Sequence, residues 1–350
     1  MSSSRPAGPR LPTLEDVARS AGVSRATVSR VVNGTRNVDP EIRKTVLAAV
    51  AATGYVPNRA ARSLVTRRTD TVALVFSVPD RHAEQDPFLG QVFSDPFFGR
   101  IVGGLLTVFR PRGVHPVLML ADSAASRTAL LVELQQQRID GVVLVSVAPE
   151  DPLLRLLTET EVPAVLFARP TVPVPINYVD VAHHAGARMA TELLLARGCR
   201  RLATISGPLD APAGQDRLAG FREAMAENGH AFAPSVEGSF TQDGGERAMA
   251  RLLAEYPQTD GVFVANDLMA QGALLTLRDQ GRRVPEDVAV VGFDDSSAAR
   301  AARPQLTTVR QPVEDMAAEM ARLLLERIER PDQRVTSVIF KPELVRRQSA

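Results

Sequence analysis

No tryptophan occurs among the 350 residues, so any aromatic face offered to a ligand must come from Phe or Tyr. Cysteine is nearly missing as well. The single Cys199 excludes an intrachain disulfide and fits a reducing cytosol. It falls between a helical pattern and a strand pattern, where a residue without a role is expected. Apolar runs are short, and none approaches the ~20 residues that span a bilayer. Residues 1–12 are rich in Ser, Pro and Arg and have no apolar h-region, so they read as a disordered tail, not a signal peptide. Lysine is also scarce. Lys44 and Lys341 are the only two, so an excess of Arg says little by itself and its distribution says more.

That distribution is uneven. Residues 1–69 hold 12 Lys/Arg against 4 Asp/Glu, whereas the remainder holds 29 against 36. A basic head on an acidic body implies a polyanion partner for the head. The length suggests two or three domains, and 45% hydrophobic residues supply a sizeable core.

In the head, Leu14, Val17, Ala18 and Ala21 recur at helical spacing after Thr13, a suitable N-cap. Gly22 permits a tight turn, and Ser24 can cap a second helix with Val28, Val31 and Val32 inward. Asn33-Gly34 ends that helix. Asp39-Pro40 opens a third, with Ile42, Val46, Ala49 and Val50 inward and Gly54 closing it. Two short helices about a glycine turn, with a third across them, make a helix-turn-helix. Arg25, Ala26, Ser29 and Arg30 face outward on its second helix. Arginine can fork onto guanine, while the hydroxyls of Thr27 and Ser29 suit phosphate oxygens. A three-helix bundle used for protein contacts is the plainer alternative. Beyond it, Asn58 to Val65 carries Arg59, Arg62 and Leu64, which a short helix can aim at DNA.

From Thr71 onward, short apolar runs alternate with amphipathic ones. Strands are expected at Val72–Phe76, Val117–Leu120, Val142–Val145, Ala164–Phe167, Leu202–Ser206, Val262–Val264, Val288–Phe293 and Val335–Phe340. Helices are expected at Ile101–Phe109, Ala185–Arg197, Arg217–Asn228, Gly244–Tyr256 and Asp267–Gln280. Apolar strands separated by helices mean parallel sheets covered on both faces. Ligands of such folds bind at the carboxyl ends of strands, where Ser77, Ser146, Arg169, Asn266 and Asp294 fall. Asp294-Asp295 also suggests a phosphoryl-accepting receiver, but no lysine follows at a useful place. His183-His184 tempts as a metal pair, yet adjacent residues do not share a helix face and no ligand cluster joins them. No metal and no cofactor are expected.

Several motifs in combination resemble the lactose-repressor (LacI-type) family of transcription factors. In the head these are Thr13 to Ala18, Ala21-Gly22-Val23-Ser24, Thr27 to Gly34 and Gly54-Tyr55-Val56-Pro57-Asn58. In the body they are Ser94-Asp95-Pro96-Phe97-Phe98, Asp140-Gly141-Val142, Asp216 to Phe221, Val264-Ala265-Asn266-Asp267, Val291 to Asp295 and Leu306 to Gln311. The resemblance implies an all-α helix-turn-helix head plus an α/β periplasmic-binding-protein-like core of two doubly wound parallel-sheet subdomains. It places the head at 13–57, a hinge helix and linker at 58–69 and the core at 70–350. One subdomain would span about 70–179 and 310–338, the other about 180–309 and 339–350.

The same resemblance implies base-reading positions at Arg25, Ala26 and Arg30, in a DNA face of Thr13, Leu14, Ser24, Thr27, Ser29 and Asn33. It also implies a hinge helix of Asn58, Arg59, Arg62 and Leu64, with Leu64 wedged into a minor-groove step. Arg217, Asn266, Asp294 and Gln311 would point into a cleft between subdomains, with Phe97 or Phe98 near its wall. A carboxylate, a guanidinium, amides and an aromatic face suit a sugar. Two departures stand out. Arg81 to Phe93 is inserted before the Pro-Phe-Phe motif, and Ala168 falls where some members carry an acidic contact, so that contact is missing and Arg169 could supply a different one.

The expected function is a sugar-responsive regulator, a repressor acting as a homodimer on pseudo-palindromic operator DNA in the cytoplasm, with no membrane. No leucine-heptad tail follows the core, in keeping with a dimer. The run Thr66 to Val75 and the inserted loop resemble the family's cellobiose-responsive branch, so a β-glucoside is the first guess. A purine-responsive regulator is the alternative, and a solute-binding receptor a further one. An enzyme is disfavoured: no Gly-rich loop follows Val75-Phe76-Ser77-Val78-Pro79, and no Gly-x-Ser-x-Gly elbow occurs.

Overall fold

A computed structural model describes residues 12–32, 38–56, 68–77, 95–146, 151–160, 162–230 and 232–350. The chain divides into two compact units, Met1–Thr69 and Asp70–Ala350.

The first unit holds α1 (Leu14–Ala21), α2 (Arg25–Val32) and α3 (Pro40–Thr53). Side chains set their ends. Thr13 Oγ1 accepts from Asp16 N–H, and the Asp16 carboxylate takes the Thr13 N–H at 2.9 Å. Ser24 Oγ accepts from Thr27 N–H at 3.1 Å, and Asp39 from Glu41 N–H at 2.9 Å, with Pro40 at the first helical position. Gly22 and Gly54 end α1 and α3 with φ of +66° each, the left-handed region that glycine enters freely. Val17, Val28, Val31, Val46 and Ala49 form the core. Ile42, expected inward, is instead 39% exposed. It shares the face of Val46 but lies one turn nearer the helix start, outside that core. Asn33, Gly34 and the hinge residues Asn58, Arg59, Arg62 and Leu64 lie outside the described residues, as does the inserted 81–93 loop.

The second unit has two lobes. The first carries β1 (Thr71–Ser77), α4 (Pro96–Phe109), β2 (His115–Ala121), α5 (Ala124–Gln135), β3 (Gly141–Ser146), α6 (Pro152–Glu159), β4 (Ala164–Phe167) and β5 (Asn177–Val181). The second carries α7 (His183–Ala196), β6 (Leu202–Ser206), α8 (Pro212–Glu227), β7 (Ser235–Glu237), α9 (Gln242–Glu255), β8 (Gly261–Val264), α10 (Asp267–Asp279), β9 (Ala289–Asp294), α11 (Ser297–Ala301) and β10 (Thr307–Arg310). The chain then returns to the first lobe for α12 (Val313–Glu329) and β11 (Ser337–Phe340), and ends in the second with β12 (Glu343–Val345).

Among the described residues each sheet has six strands, ordered β11-β5-β4-β3-β1-β2 and β12-β10-β9-β8-β6-β7. The pairings among the described residues are parallel except the edge pair β10–β12. Apolar clusters cover both faces of each sheet, which is why the central strands read as continuous apolar runs. The strands absent from the sequence expectation, β5, β7, β10 and β12, are short and polar (NYVDV, SVE, TTVR, ELV). Because β5 runs to Val181 and β11 to Phe340 in the first sheet, and β10 lies in the second, the lobe crossings fall slightly later than expected.

Candidate functional site

In the head, Ser24, Arg25, Ala26 and Arg30 are exposed at the start and along one side of α2, and Thr13, Leu14, Thr27 and Ser29 are half-buried. Capping occupies part of this polar set. Ser24 Oγ lies 2.9 Å from Thr27 Oγ1, and Thr13 Oγ1 donates to Asp16 at 2.8 Å. Arg25 Nε forms an ion pair with Glu15 on α1 at 3.0 Å. The basic side chains thus stand on a helix face whose apolar side is buried, as a groove-reading helix requires.

In the core, strand order reverses between β1 and β3 and again between β6 and β8, and the carboxyl ends of strands at such reversals are where open α/β sheets bind their ligands. Ser77 and Ser146 end the first pair, in register with each other, and Ser77 Oγ donates to Ala121 O at 3.2 Å. On the opposite lobe, Arg217 on α8 is buried and gathers its neighbours. Its Nε donates to His183 Nδ1 at 3.2 Å and its Nη2 to Gln311 Oε1 at 3.1 Å, while Nη1 donates to Ala265 O. Its guanidinium lies 3.7 Å from the centre of the Phe293 ring, and Asp294 Oδ1 stands 3.7 Å from Nη2. Burial lowers the pKa of Arg217, and Asp294 and Asp180 oppose that shift. An arginine starts so high that it stays a cation.

His183 was not expected here. It begins α7, accepts from Arg217 through Nδ1 and faces Asp180 through Nε2 at 3.1 Å. Burial and then the Arg217 charge push its pKa down, so it is a neutral imidazole with the proton on Nε2. Burial alone would raise the Asp180 carboxyl, but bonds from His183, Val181 N–H and Arg169 N–H hold it below the ordinary range. His184 points elsewhere, to Glu223 at 2.8 Å.

Asp294 ends β9 with φ of +111°, and Asp295 follows with φ of +52°. Burial pushes the Asp294 carboxyl up to about 8, and Asp267 and Asp95 add to this against the pull of Arg217 and Arg100. Asp267, itself raised to about 6 by burial, accepts from Thr308 Oγ1 at 2.6 Å and Ser296 N–H at 2.7 Å. The Asp295 carboxylate takes Arg310 Nε at 2.9 Å and also Arg347, and these partners outweigh burial and keep it ionised.

The remaining expected residues have structural partners. Asn266 caps α10 by accepting from Met269 N–H at 2.9 Å, and its amide donates to Phe240 O at 2.9 Å. Phe240, also unforeseen, thereby holds its half-buried ring 5.8 Å from the Arg217 guanidinium. Gln311 is buried between β10 and α12. Arg169 pairs with Asp216 of the other lobe at 2.9 Å. Phe97 sits edge-on to Phe167 at 5.2 Å and Phe98 edge-on to Phe76 at 4.8 Å, both half-buried on the first lobe. Hence Arg217, Asp294 and Gln311 form one cluster, Asn266 joins it through Phe240, and Phe97 and Phe98 pack on the facing lobe. Arg100, another residue without a sequence signal, donates from α4 to Asp294 O at 2.9 Å.

Comparison with known proteins accords with both parts. Residues 13–58 match the profile of bacterial regulatory proteins of the lacI family, and residues 191–350 that of a periplasmic binding protein-like domain. The chain is 46% identical to the HTH-type transcriptional regulator CelR of Thermobifida fusca over 345 residues, 97% of this chain and 98% of that protein. A solved transcriptional regulator CelR–cellobiose complex is 44% identical, with a TM-score of 0.75, over 97% of this chain and 100% of that one. The lac repressor dimer bound to operator and the anti-inducer ONPF is 28% identical, with a TM-score of 0.78, over 97% and 99%.

Proposed function

The chain belongs to the lacI family of bacterial regulatory proteins, and from that premise we propose that it is a sugar-responsive repressor released from operator DNA by a β-glucoside such as cellobiose. The observation that carries this reading is the side-by-side pair of Arg217 and Asp294 at the carboxyl edge of the second sheet. Three N–H groups of Arg217 are engaged by His183, Ala265 and Gln311, which leaves the guanidinium oriented with donors to spare for sugar oxygens. Asp294 accepts from sugar hydroxyls, and Phe240, Phe97 and Phe98 supply the aromatic faces that no tryptophan can. A single guanidinium with an acidic side chain beside it does not suit a phosphate, which calls for a surplus of cations. The similarity to a regulator solved with cellobiose supports the same chemical class.

Sugar would bind between the lobes and favour one arrangement of them over another. The head reads DNA through Arg25, Ala26 and Arg30, with Thr13, Leu14, Ser24, Thr27, Ser29 and Asn33 on the backbone. The hinge residues Asn58, Arg59, Arg62 and Leu64 enter the minor groove, two copies acting on one pseudo-palindrome. Coupling of this kind is worth ~1–3 kcal/mol and is reciprocal. The protein regulates and does not catalyse, in keeping with relatives that are named as regulators. No helix among the described residues is long and apolar enough to cross a membrane, and we place the protein in the cytoplasm with its DNA.

The test is operator binding by the purified chain, titrated with cellobiose and with purines and sugar phosphates. Release by cellobiose, and weaker cellobiose binding by the operator-bound form, is the expected result. Release only by a purine or a sugar phosphate refutes the sugar class. The hinge has its own check: Leu64→Ser that bends operator like the parent chain would remove the wedge.

A further inference from the structure

We propose that Arg100 is a positioning residue of the effector site, fixing from the first lobe the main chain of Asp294 and Gln311, with Glu314 holding Arg100 in place. The inference rests on the reading of that cleft as the effector site.

The geometry is a fork used on two sides. Arg100 Nε and Nη2 donate to the two oxygens of Glu314, each at 2.7 Å. Nη1 donates to Asp294 O at 2.9 Å and Nη2 to Gln311 O at 3.0 Å. Arg100 and Glu314 belong to α4 and α12 of the first lobe, whereas Asp294 ends a strand of the second and Gln311 lies at the crossing between lobes. The two helices meet closely at Gly104, where a Cβ would stand 2.2 Å from Glu314 O. Any larger residue there would force the two helices apart.

The residue so held is one that needs holding. Asp294 has a φ of +111°, beyond the left-handed region that aspartate enters readily, and such backbone persists only where the surroundings over-determine it; Asp295, at +52°, follows within that region. Arg310 and Arg347 hold the Asp295 carboxylate, and Asp267 holds the Ser296 N–H. All three belong to the second lobe. Among the described residues, Arg100 is the restraint on this turn that comes from the first lobe. A movement of one lobe against the other therefore acts on the backbone that carries the sugar-reading carboxyl. Lysine cannot replace this fork, because a point charge cannot span a carboxylate and two carbonyls.

Arg100→Lys and the milder Glu314→Gln test the proposal in the full-length protein. Amide exchange is read first, without sugar. In Arg100→Lys, peptides covering residues 293–298 should exchange about tenfold faster, as loss of charge-assisted hydrogen bonds implies, while those of β6 and β8 stay as in the parent. Cellobiose affinity by calorimetry should fall about tenfold in Arg100→Lys and less in Glu314→Gln, with operator affinity in the absence of sugar within about twofold of the parent. Unchanged exchange at 293–298 overturns the proposal whatever sugar does. Faster exchange with unaltered cellobiose affinity overturns it too, leaving Arg100 a tie between lobes. A parent chain that binds no cellobiose instead refutes the effector class, and the exchange result still decides whether Arg100 holds the turn.

Discussion

Between Thr13 and Thr53 no described charged side chain is buried, whereas the core buries Arg217, Asp267, His183, Asp180 and Asp295. The two regions face different partners. A phosphate backbone is met by solvated side chains that exchange water and counterions for it at little structural cost. A small neutral ligand must be recognised by groups fixed in advance, and fixing charges away from water requires each to have its partners. The same residue types therefore carry opposite energetic weight in the two units. Substitutions in the core should act on folding and sugar together, and those in the head on DNA alone.

Arg217→Met should break this contrast most severely. It leaves Asp294, Gln311, His183 and Ala265 O without their shared donor. Breaking a buried pair costs ~3–5 kcal/mol, and the low end is expected because burial already raises the Asp294 carboxyl to about 8, so near neutral pH it keeps its proton and leaves no bare charge. Chemical denaturation reads the loss, and the response of operator binding to cellobiose should vanish with it. A drop under ~1 kcal/mol with the response intact would mean that the buried cluster is neither stabilising nor sensing.

Asp294→Asn sharpens the point with pH. The folded-state carboxyl lies at about 8, far above the ordinary 3.8. For a raised acid the stabilising contribution is complete below the unfolded value and is lost as pH rises through the folded one. Stability thus declines between roughly pH 4 and pH 8 on account of Asp294. Asp267, raised to about 6, adds a decline of the same sign but finishes earlier. Asparagine removes the first contribution and keeps the shape. The melting temperature of Asp294→Asn relative to the parent should accordingly improve from pH 6 to pH 9, with operator binding normal and sugar response lost. A gap that does not move with pH would place Asp294 in water, like the charges of the head.

The contrast also explains what the sequence disclosed. Caps and glycine turns of the head are local, so Thr13, Gly22, Ser24, Asp39 and Gly54 could be read along the chain. Central strands advertise themselves by apolar runs, but β7 and β12 have three residues each and owe their form to a neighbour. At the cleft, strand ends pointed to Asp294 and Asn266, and the resemblance added Arg217 and Gln311. His183 drew notice only as half of a histidine pair, and Phe240 and Arg100 left no trace, because each matters through a partner far off in sequence: Arg217, Asn266 and Glu314. Asn266 shows the opposite limit. Its position was foreseen, but its side chain is already spent on a helix cap and on Phe240.

The smallest effect is expected where both partners are solvated. Arg25 and Glu15 pair at 3.0 Å with side chains 71% and 55% exposed. Exposed pairs contribute little to stability, so Glu15→Gln should leave the melting temperature unchanged. Its consequence lies on DNA. In the parent, Arg25 must give up Glu15 to reach a base or a phosphate, and the Glu15 carboxylate stays close to a polyanion. Removing that charge should raise affinity for any duplex by up to about fivefold, the equivalent of one exposed pair, with the gain fading as salt is added. Titrations of a random-sequence duplex at two salt concentrations measure this. A loss of stability instead would show that the head, like the core, depends on a charge pair to fold, and the division of labour between the two units would fail.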